Sequence, residues 1–244
     1  MISLVHLGRV GYQEGLALQE KLTQWRKDQR LGDTLLLLEH PPVLTLGRNS
    51  KRQHILADDQ TLLRRGVSIV ETNRGGDVTY HGPGQLVGYP IFDLRGFTPR
   101  LGAVEYVRKL EEVLIRACAD FGILTERIAG RTGVWTMPGG HIPEKKIAAI
   151  GIHISRAVTS HGFALNVTPD LKDFEWIVPC GIADRGVTSI EEQIDEQLHP
   201  VPAMLEVANS IARHFGRVFT RPVLWVDSLE ELTRGAMAAV DSGG

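Results

Sequence analysis

Apolar positions recur along the chain in two rhythms. Val107, Leu110, Leu114, Ala117, Cys118 and Phe121 follow steps of three and four, which predicts an amphipathic helix over residues 103–121. Leu16, Leu18, Leu22 and Trp25 predict another over residues 12–30, and a third is expected over 202–215. Shorter apolar runs predict strands. Residues 35–39 carry consecutive leucines closed by His40-Pro41-Pro42, the pattern of a strand buried on both faces. Further strands are expected over 67–71, 85–92, 132–136, 147–155 and 162–167, the last two joined as a hairpin. The chain shows no internal repeat, low-complexity tract or Pro/Gly/Ser-rich linker. The pattern predicts one α+β domain whose mixed or largely antiparallel sheet is flanked by helices.

Composition narrows the class. At 244 residues and 43% hydrophobic, the chain can bury a sizeable core, which excludes a disordered or fibrous protein. Its 27 basic and 29 acidic side chains leave a net charge of −2, which forecasts neither a nucleic-acid nor a membrane binder. No apolar run approaches the ~18 residues of a membrane span. The first residues lack the basic-then-apolar pattern of a secretory signal, and two cysteines cannot make a disulfide framework. A reducing, cytoplasmic location is expected. The acidic stretch 191–196, interrupted by Gln193 and Ile194, reads as a solvated face.

Candidate chemistry is unevenly spread. His6, His40, His54, His141, His199 and His214 sit singly, and neither a His-Glu-x-x-His nor a Cys-x-x-Cys pair occurs, so a metal enzyme is disfavoured. The stretch Arg74-Gly-Gly-Asp-Val-Thr-Tyr-His-Gly-Pro-Gly-Gln85 is dense in glycine and polar side chains. It lacks the Gly-Lys-Ser/Thr ending of a P-loop and misses the dinucleotide fingerprint, and a strand follows where a helix would be needed. Glycine admits close approach of backbone to ligand, so a ligand-facing loop is the better reading than a plain turn.

The cysteines have opposite settings. Cys118 lies on the apolar stripe of a helix, as an inert small hydrophobe would. Cys180 stands in a Val178-Pro179-Cys180-Gly181-Ile182 turn that could present a thiol at a cleft edge. With a free thiol pKa of ~8.5 it needs an activator. Strand alternation puts Lys146 at the head of an apolar face with Ala148, Ile150, Ile152 and Ile154, away from Lys145. A partly buried amine beside the thiol would lower the thiol pKa, while His81 and His161 are rival partners.

Together, Arg74 to Gln85, Lys146-Ile-Ala-Ala-Ile-Gly151, His161-Gly-Phe-Ala-Leu-Asn-Val167 and Pro179-Cys-Gly-Ile-Ala-Asp-Arg-Gly-Val-Thr-Ser189 resemble the lipoyl(octanoyl) transferases. The resemblance runs in order from about residue 4 to about residue 219. It implies the α+β fold of biotin and lipoate protein ligases over residues 1–220, with 221–244 an extension of unknown role. It also implies transfer of an octanoyl group from acyl carrier protein to a lysine N6-amine. The acceptors would be lipoyl domains of 2-oxoacid dehydrogenase E2 subunits and the glycine cleavage H protein. Cys180 matches the acyl-carrying nucleophile and Lys146 the acid/base. Arg74, Gly75, Gly76, Asp77, Val78, Thr79, Tyr80, His81, Ala149, Ile150, Gly151, Gly162, Phe163 and Ala164 match the acyl-site segments. Residues 131–144 are given no role.

No cofactor is expected. Exchange of one thioester for another conserves the activated bond, so neither ATP nor a metal is required, and the donor is carried on phosphopantetheine. An eight-carbon chain offers about seven carbon groups worth ~0.8 kcal/mol each when buried, so pocket depth can measure it. The nearest alternative is an ATP-dependent lipoate or biotin protein ligase, which needs no cysteine nucleophile. An acyl-sensing binding protein and a cysteine hydrolase are further alternatives. Arg48, Lys51 and Arg52 are candidates for docking an acidic carrier.

Overall fold

The computed structural model describes residues 1–138, 144–178, 186–195 and 200–241. In chain order the elements are β1 (Ile2–Arg9), α1 (Tyr12–Lys27), β2 (Asp33–Glu39), β3 (Val43–Leu46), α2 (Asp59–Arg64), β4 (Ser68–Glu71), β5 (Val78–His81) and β6 (Gln85–Ile91). There follow α3 (Ala103–Ala119), β7 (Thr125–Ile128), β8 (Arg131–Thr136), β9 (Lys146–Ser155), β10 (Val158–Asn166), α4 (Ile190–Gln193), α5 (Met204–Phe219), β11 (Val223–Trp225) and α6 (Leu229–Asp241).

Eight strands form one mixed sheet in the order β11-β1-β2-β6-β10-β9-β8-β7, and β4-β3-β5 form a small second sheet. Parallel pairing is confined to β11-β1-β2 in the large sheet and to β3-β4 in the small one. The rest is antiparallel, so the expected α+β class with a mixed sheet is what the chain adopts.

Alternation along the central strands decides what each face of the large sheet meets. Leu35 and Leu37 of β2, Leu86 of β6 and Leu165 of β10 point to α3 and α5, where Leu110, Leu114, Ile211 and Phe215 close a dry layer. Leu36 and Leu38 point the other way, joining Leu22 of α1 and Leu232 of α6. Two covered faces explain why β2 reads as an unbroken leucine run. The start of α3 is held by Glu105, whose carboxylate accepts the Gly102 N–H at 2.6 Å, and α5 repeats the device with Glu206 and Ala203 at 2.7 Å.

Several boundaries differ from expectation. α1 stops at Lys27, because Gln29 takes a left-handed backbone with φ 58°. α5 runs on to Phe219, where Thr220 at φ 54° ends it. β1, β3, β5, β7 and β11 carry no periodic signal long enough to stand out. β11 adds an edge strand beside β1, and α6 packs against β1, tied by the Arg30 guanidinium to the Ala236 carbonyl. Among the described residues no helix is long and apolar enough to cross a membrane.

Candidate active site

Between the small sheet and the face of β6-β10-β9-β8 turned away from α3 lies a cavity of about 330 Å³. Its walls come from far apart in the chain. Tyr12 enters from the start of α1, Thr79 and His81 from β5, Val87 and Tyr89 from β6, and Arg131 and Thr132 from β8. β9 contributes Lys146, Ala149, Ile150 and Gly151; β10 contributes His161, Gly162, Phe163 and Ala164.

Small residues make the room. Gly162 cannot carry a side chain, because a Cβ there would lie 2.1 Å from the Gly88 carbonyl oxygen and 2.6 Å from Pro90 Cδ. Arg74, Gly76 and Asp77 also line the cavity. The Arg74 guanidinium is fixed from below, donating to the Thr45 carbonyl at 2.6 Å and to the Gly75 carbonyl at 3.0 Å. Gly75 itself donates its N–H to the Ile152 carbonyl at 2.8 Å, which holds the Arg74 loop against β9. Val78 points into the small sheet's own core, and Tyr80 there donates its hydroxyl to Asp173 at 2.6 Å. Of the matched acyl-site residues, Gly75, Val78 and Tyr80 therefore stand behind the wall and the others form it.

The floor is a set of buried imidazoles and phenols. The His40 Nδ1–H donates to the Val10 carbonyl at 2.7 Å, which leaves Nε2 to accept the Tyr89 hydroxyl at 2.6 Å. Tyr12 stacks on His81, with ring centroids 6.0 Å apart. His81 Nδ1–H donates to Gln85 at 3.1 Å, and His161 Nε2–H to Asn73 at 2.7 Å. Burial, assisted by Arg74, pushes His81 down to about 3 and His161 down to about 4. Burial likewise pushes His40 down to about 4. All three rings are neutral at pH 7, so the floor presents polar edges without charge. His40 is thus no isolated histidine, contrary to the sequence expectation: its partners come from other elements.

Lys146 lines this cavity with only 8% of its surface exposed. The strand alternation expected for it fails. Val134 pairs with Ala148 but Trp135 pairs with Lys146, so β9 carries one extra residue, Ile147, at that point. The bulge turns Lys146 to the side of Ala149 and Gly151, while Ala148, Ile150, Ile152 and Ile154 pack toward the dry layer. Lys145 lies outside and pairs with Glu192 at 3.1 Å. Residues 131–144, given no role from sequence, supply Arg131 and Thr132 to the wall and Trp135 beneath Lys146.

Cys180 lies outside the described residues. The segments on either side of it are pinned at the cavity. Val178 donates its N–H to the His54 carbonyl at 2.8 Å, and the His54 ring donates to Asp77 at 2.6 Å. Past residues 179–185, the Lys146 N–H donates to the Gly186 carbonyl and the Thr188 N–H to the Lys146 carbonyl, both at 3.0 Å. His54 is a residue that sequence reasoning missed; its short spacing from Arg52 and Ile55 carries no signal of the Asp77 partner. Cys118 is fully buried in the helical layer, where burial pushes its thiol up to about 12, as an inert hydrophobe requires. Among the described residues no group of three or more His, Cys, Asp or Glu side chains could hold a metal ion.

Comparison with known proteins fits this geometry. A family model described as the lipoyl protein ligase A/B catalytic domain matches residues 11–216. A protein of Acidobacterium capsulatum named octanoyltransferase is 65% identical over 238 residues, covering 95% of this chain and 96% of its own. Another of that name, from Koribacter versatilis, is 55% identical over 232 residues, covering 95% of this chain and 90% of its own. Among solved structures, lipoate-protein ligase A bound with ATP superposes with a TM-score of 0.72 at 15% identity, covering 99% of this chain and 95% of its own. The bipartite lipoate protein ligase of Thermoplasma acidophilum, studied with its E2 lipoyl domain, gives 0.71 at 17%, covering 98% and 91%. At such identities the likeness is one of fold.

Proposed function

The chain belongs to the lipoyl protein ligase A/B catalytic-domain family, as an acyltransferase of octanoyl transfer in protein lipoylation, and from that premise we infer its donor, intermediate and acid/base. The donor is octanoyl-acyl carrier protein, the intermediate is an octanoyl thioester on Cys180, and Lys146 moves the protons. The acceptor is a lysine N6-amine on a lipoyl domain, carried by 2-oxoacid dehydrogenase E2 subunits or the glycine cleavage H protein. The setting is the cytoplasm.

One observation carries the reading. Lys146 is the buried amine of the cavity wall, and its own backbone is hydrogen-bonded on both sides to Gly186 and Thr188, which follow Cys180 closely in the chain. An ammonium there favours the thiolate, which attacks the octanoyl carbonyl. The carrier's pantetheine thiol leaves and takes its proton from Lys146. The acceptor amine then attacks the Cys180 thioester, gives its proton to the now neutral Lys146, and releases Cys180 as thiolate. Every proton and acyl bond is accounted for, and the donor bond is already activated, so the scheme requires neither ATP nor a metal. The uncharged imidazole floor and the Ala149, Ala164 and Val87 walls suit an aliphatic chain. Because one methylene more or less is worth only ~1–3 kcal/mol, chain selectivity is graded.

Intact-mass spectrometry after mixing with octanoyl-acyl carrier protein, without ATP, tests this. One octanoyl group appears on wild type and on Cys118→Ala but not on Cys180→Ala, and apo lipoyl domain discharges it. Label that reaches the lipoyl domain only when free octanoate and ATP are supplied overturns the reading in favour of an adenylate-forming ligase.

A further inference from the structure

The cavity follows the β9–β10 pair. Ala149 is the register partner of Ala164 and Gly151 of Gly162, all four line the space, and His161 comes next on β10. On the acid/base reading of Lys146 given above, the thioester carbonyl stands at the head of this path. An extended octanoyl chain, its staggered C–C bonds ~1.5 Å each, spans roughly 9 Å, about three strand residues. Its methyl end therefore comes to rest near Gly151 and Gly162. There the path is narrow, because a Cβ on Gly151 would lie 2.8 Å from the Gly75 carbonyl oxygen.

The groups just past that point are polar. His161, 2% exposed, holds a left-handed backbone at φ 54°. Its N–H donates to Gln19 Oε1 at 2.7 Å, and its Nε2–H donates to Asn73 at 2.7 Å. Burial keeps the ring neutral, so Nδ1 carries a lone pair. Among the described residues that Nδ1 has no hydrogen-bond partner, and neither has Nε2 of Gln19, a side chain 1% exposed. One atom lacks a donor and the other an acceptor, on two residues already bonded to each other. A methyl group satisfies neither. A water satisfies both, donating to His161 and accepting from Gln19.

We propose that His161, with Gln19, sets the acyl chain length by holding one water at the end of the cavity, which a longer chain must displace. Two effects oppose each other beyond eight carbons. Each further methylene buried gains about fourfold in binding. Stripping a buried polar atom of its partner costs about five- to 150-fold, and here two atoms are stripped at once. Two added methylenes return about 16-fold at most, so the longer chain loses. Below eight carbons the water stays, and each missing methylene gives up only its own contact. Selectivity is then shallow toward shorter chains and steep toward longer ones.

Competition between octanoyl- and decanoyl-acyl carrier protein at equal concentration tests this, read by intact mass as the ratio of the two adducts on the full chain. Wild type takes octanoyl over decanoyl by about tenfold or more. His161→Leu removes the acceptor atom and shifts the ratio toward decanoyl by about tenfold. His161→Asn, which tolerates the backbone and keeps an acceptor oxygen, holds the ratio within about threefold of wild type. Gln19→Met removes the donor at similar volume and shifts the ratio the same way by about fivefold, which serves if His161→Leu does not fold. An unchanged ratio in a folded His161→Leu or Gln19→Met would overturn the proposal. So would equal shifts from His161→Leu and His161→Asn, because ring volume rather than the polar atom would then decide. The rise in melting temperature on adding free octanoate or decanoate reads the same preference without a covalent step. If wild type forms no adduct, yet octanoate stabilises it more than decanoate and His161→Leu reverses that order, the thioester reading falls and this proposal stands.

Discussion

The large sheet presents two faces built from the same strands to different rules. Toward α3 and α5, Phe163 and Leu165 of β10 and Ala148 of β9 meet Phe92, Phe215 and Phe219, whose rings stack and cross at centroid distances of 5.3–6.0 Å. Toward the cavity, the alternate residues Ala149, Gly151 and Ala164 are small, and what gathers over them is His81, His161, Arg74 and Lys146. The first face follows the packing rule, in which apolar surface leaves water and voids are filled. The second departs from it by burying polar groups around unfilled space, at a cost of order 1–3 kcal/mol for each one left unpartnered. Most of them are partnered, and that is why the fold tolerates the cavity. One face supplies the stability that the other uses.

The division implies that the faces fail differently when altered. Lys146→Ala is expected to slow acyl transfer by ~10²–10⁴-fold, the usual worth of a positioned acid/base, with no fall in melting temperature. A variant that unfolded instead would show the cavity face to be structural. On the dry face, Phe215→Ala is expected to lower the unfolding free energy by about 3–5 kcal/mol, read from guanidinium titration, because its fully buried ring has no means of collapse around the space it leaves. The folded fraction should keep its turnover. If transfer per folded molecule dropped as far as it does in Lys146→Ala, the two faces would not be separable.

Gly162→Ala probes the boundary between them, since Gly162 lines the cavity yet its missing Cβ is demanded by the β6 backbone. Overpacking there is expected to cost about 1–3 kcal/mol and to lower acyl transfer as well, because β10 must shift away from β6. Loss of activity at unchanged stability would place the effect in the cavity alone.

How much of this could be read from the sequence follows the same division. The stripe of α3 is visible because each of its residues obeys one local rule at one spacing, and the fold class follows from such stripes and runs. The cavity has no period. Tyr12, Tyr89 and Thr132 are brought together only by the crossing of α1, β6 and β8, and nothing near them in the chain announces it. The Arg74 to His81 stretch is legible through residue density and resemblance, which does not separate Gly76 and Thr79 in the wall from Val78 and Tyr80 behind it. Strict alternation misplaces Lys146 because the extra residue Ile147 resets the strand phase, and a bulge leaves no mark in composition. His40 and His54 read as solitary because their partners, Tyr89 and Asp77, are supplied by tertiary pairing.

The smallest expected effect distinguishes the faces by their protons. His161 is pushed from 6.5 down to about 4, chiefly by burial and further by Arg74 and His153. Between those values the unfolded chain binds a proton that the native state refuses, so stability is full above pH 6.5, falls as the pH is lowered, and levels off near pH 4. A single imidazole contributes at most one proton, which sets its share of the slope at up to ~1.4 kcal/mol per pH unit. His161→Asn, whose side chain tolerates the residue's left-handed backbone at φ 54°, is expected to flatten the slope by up to that amount in denaturant titrations at pH 6.5, 5.5 and 4.5. Cys118→Ala, on the dry face, should leave the slope as it is, because a thiol pushed up to about 12 exchanges no proton in that window. Equal slopes for wild type and His161→Asn would mean that the native state takes up the proton at the cavity as readily as the unfolded chain does. The neutral floor, and with it the contrast between the two faces, would then have to be abandoned.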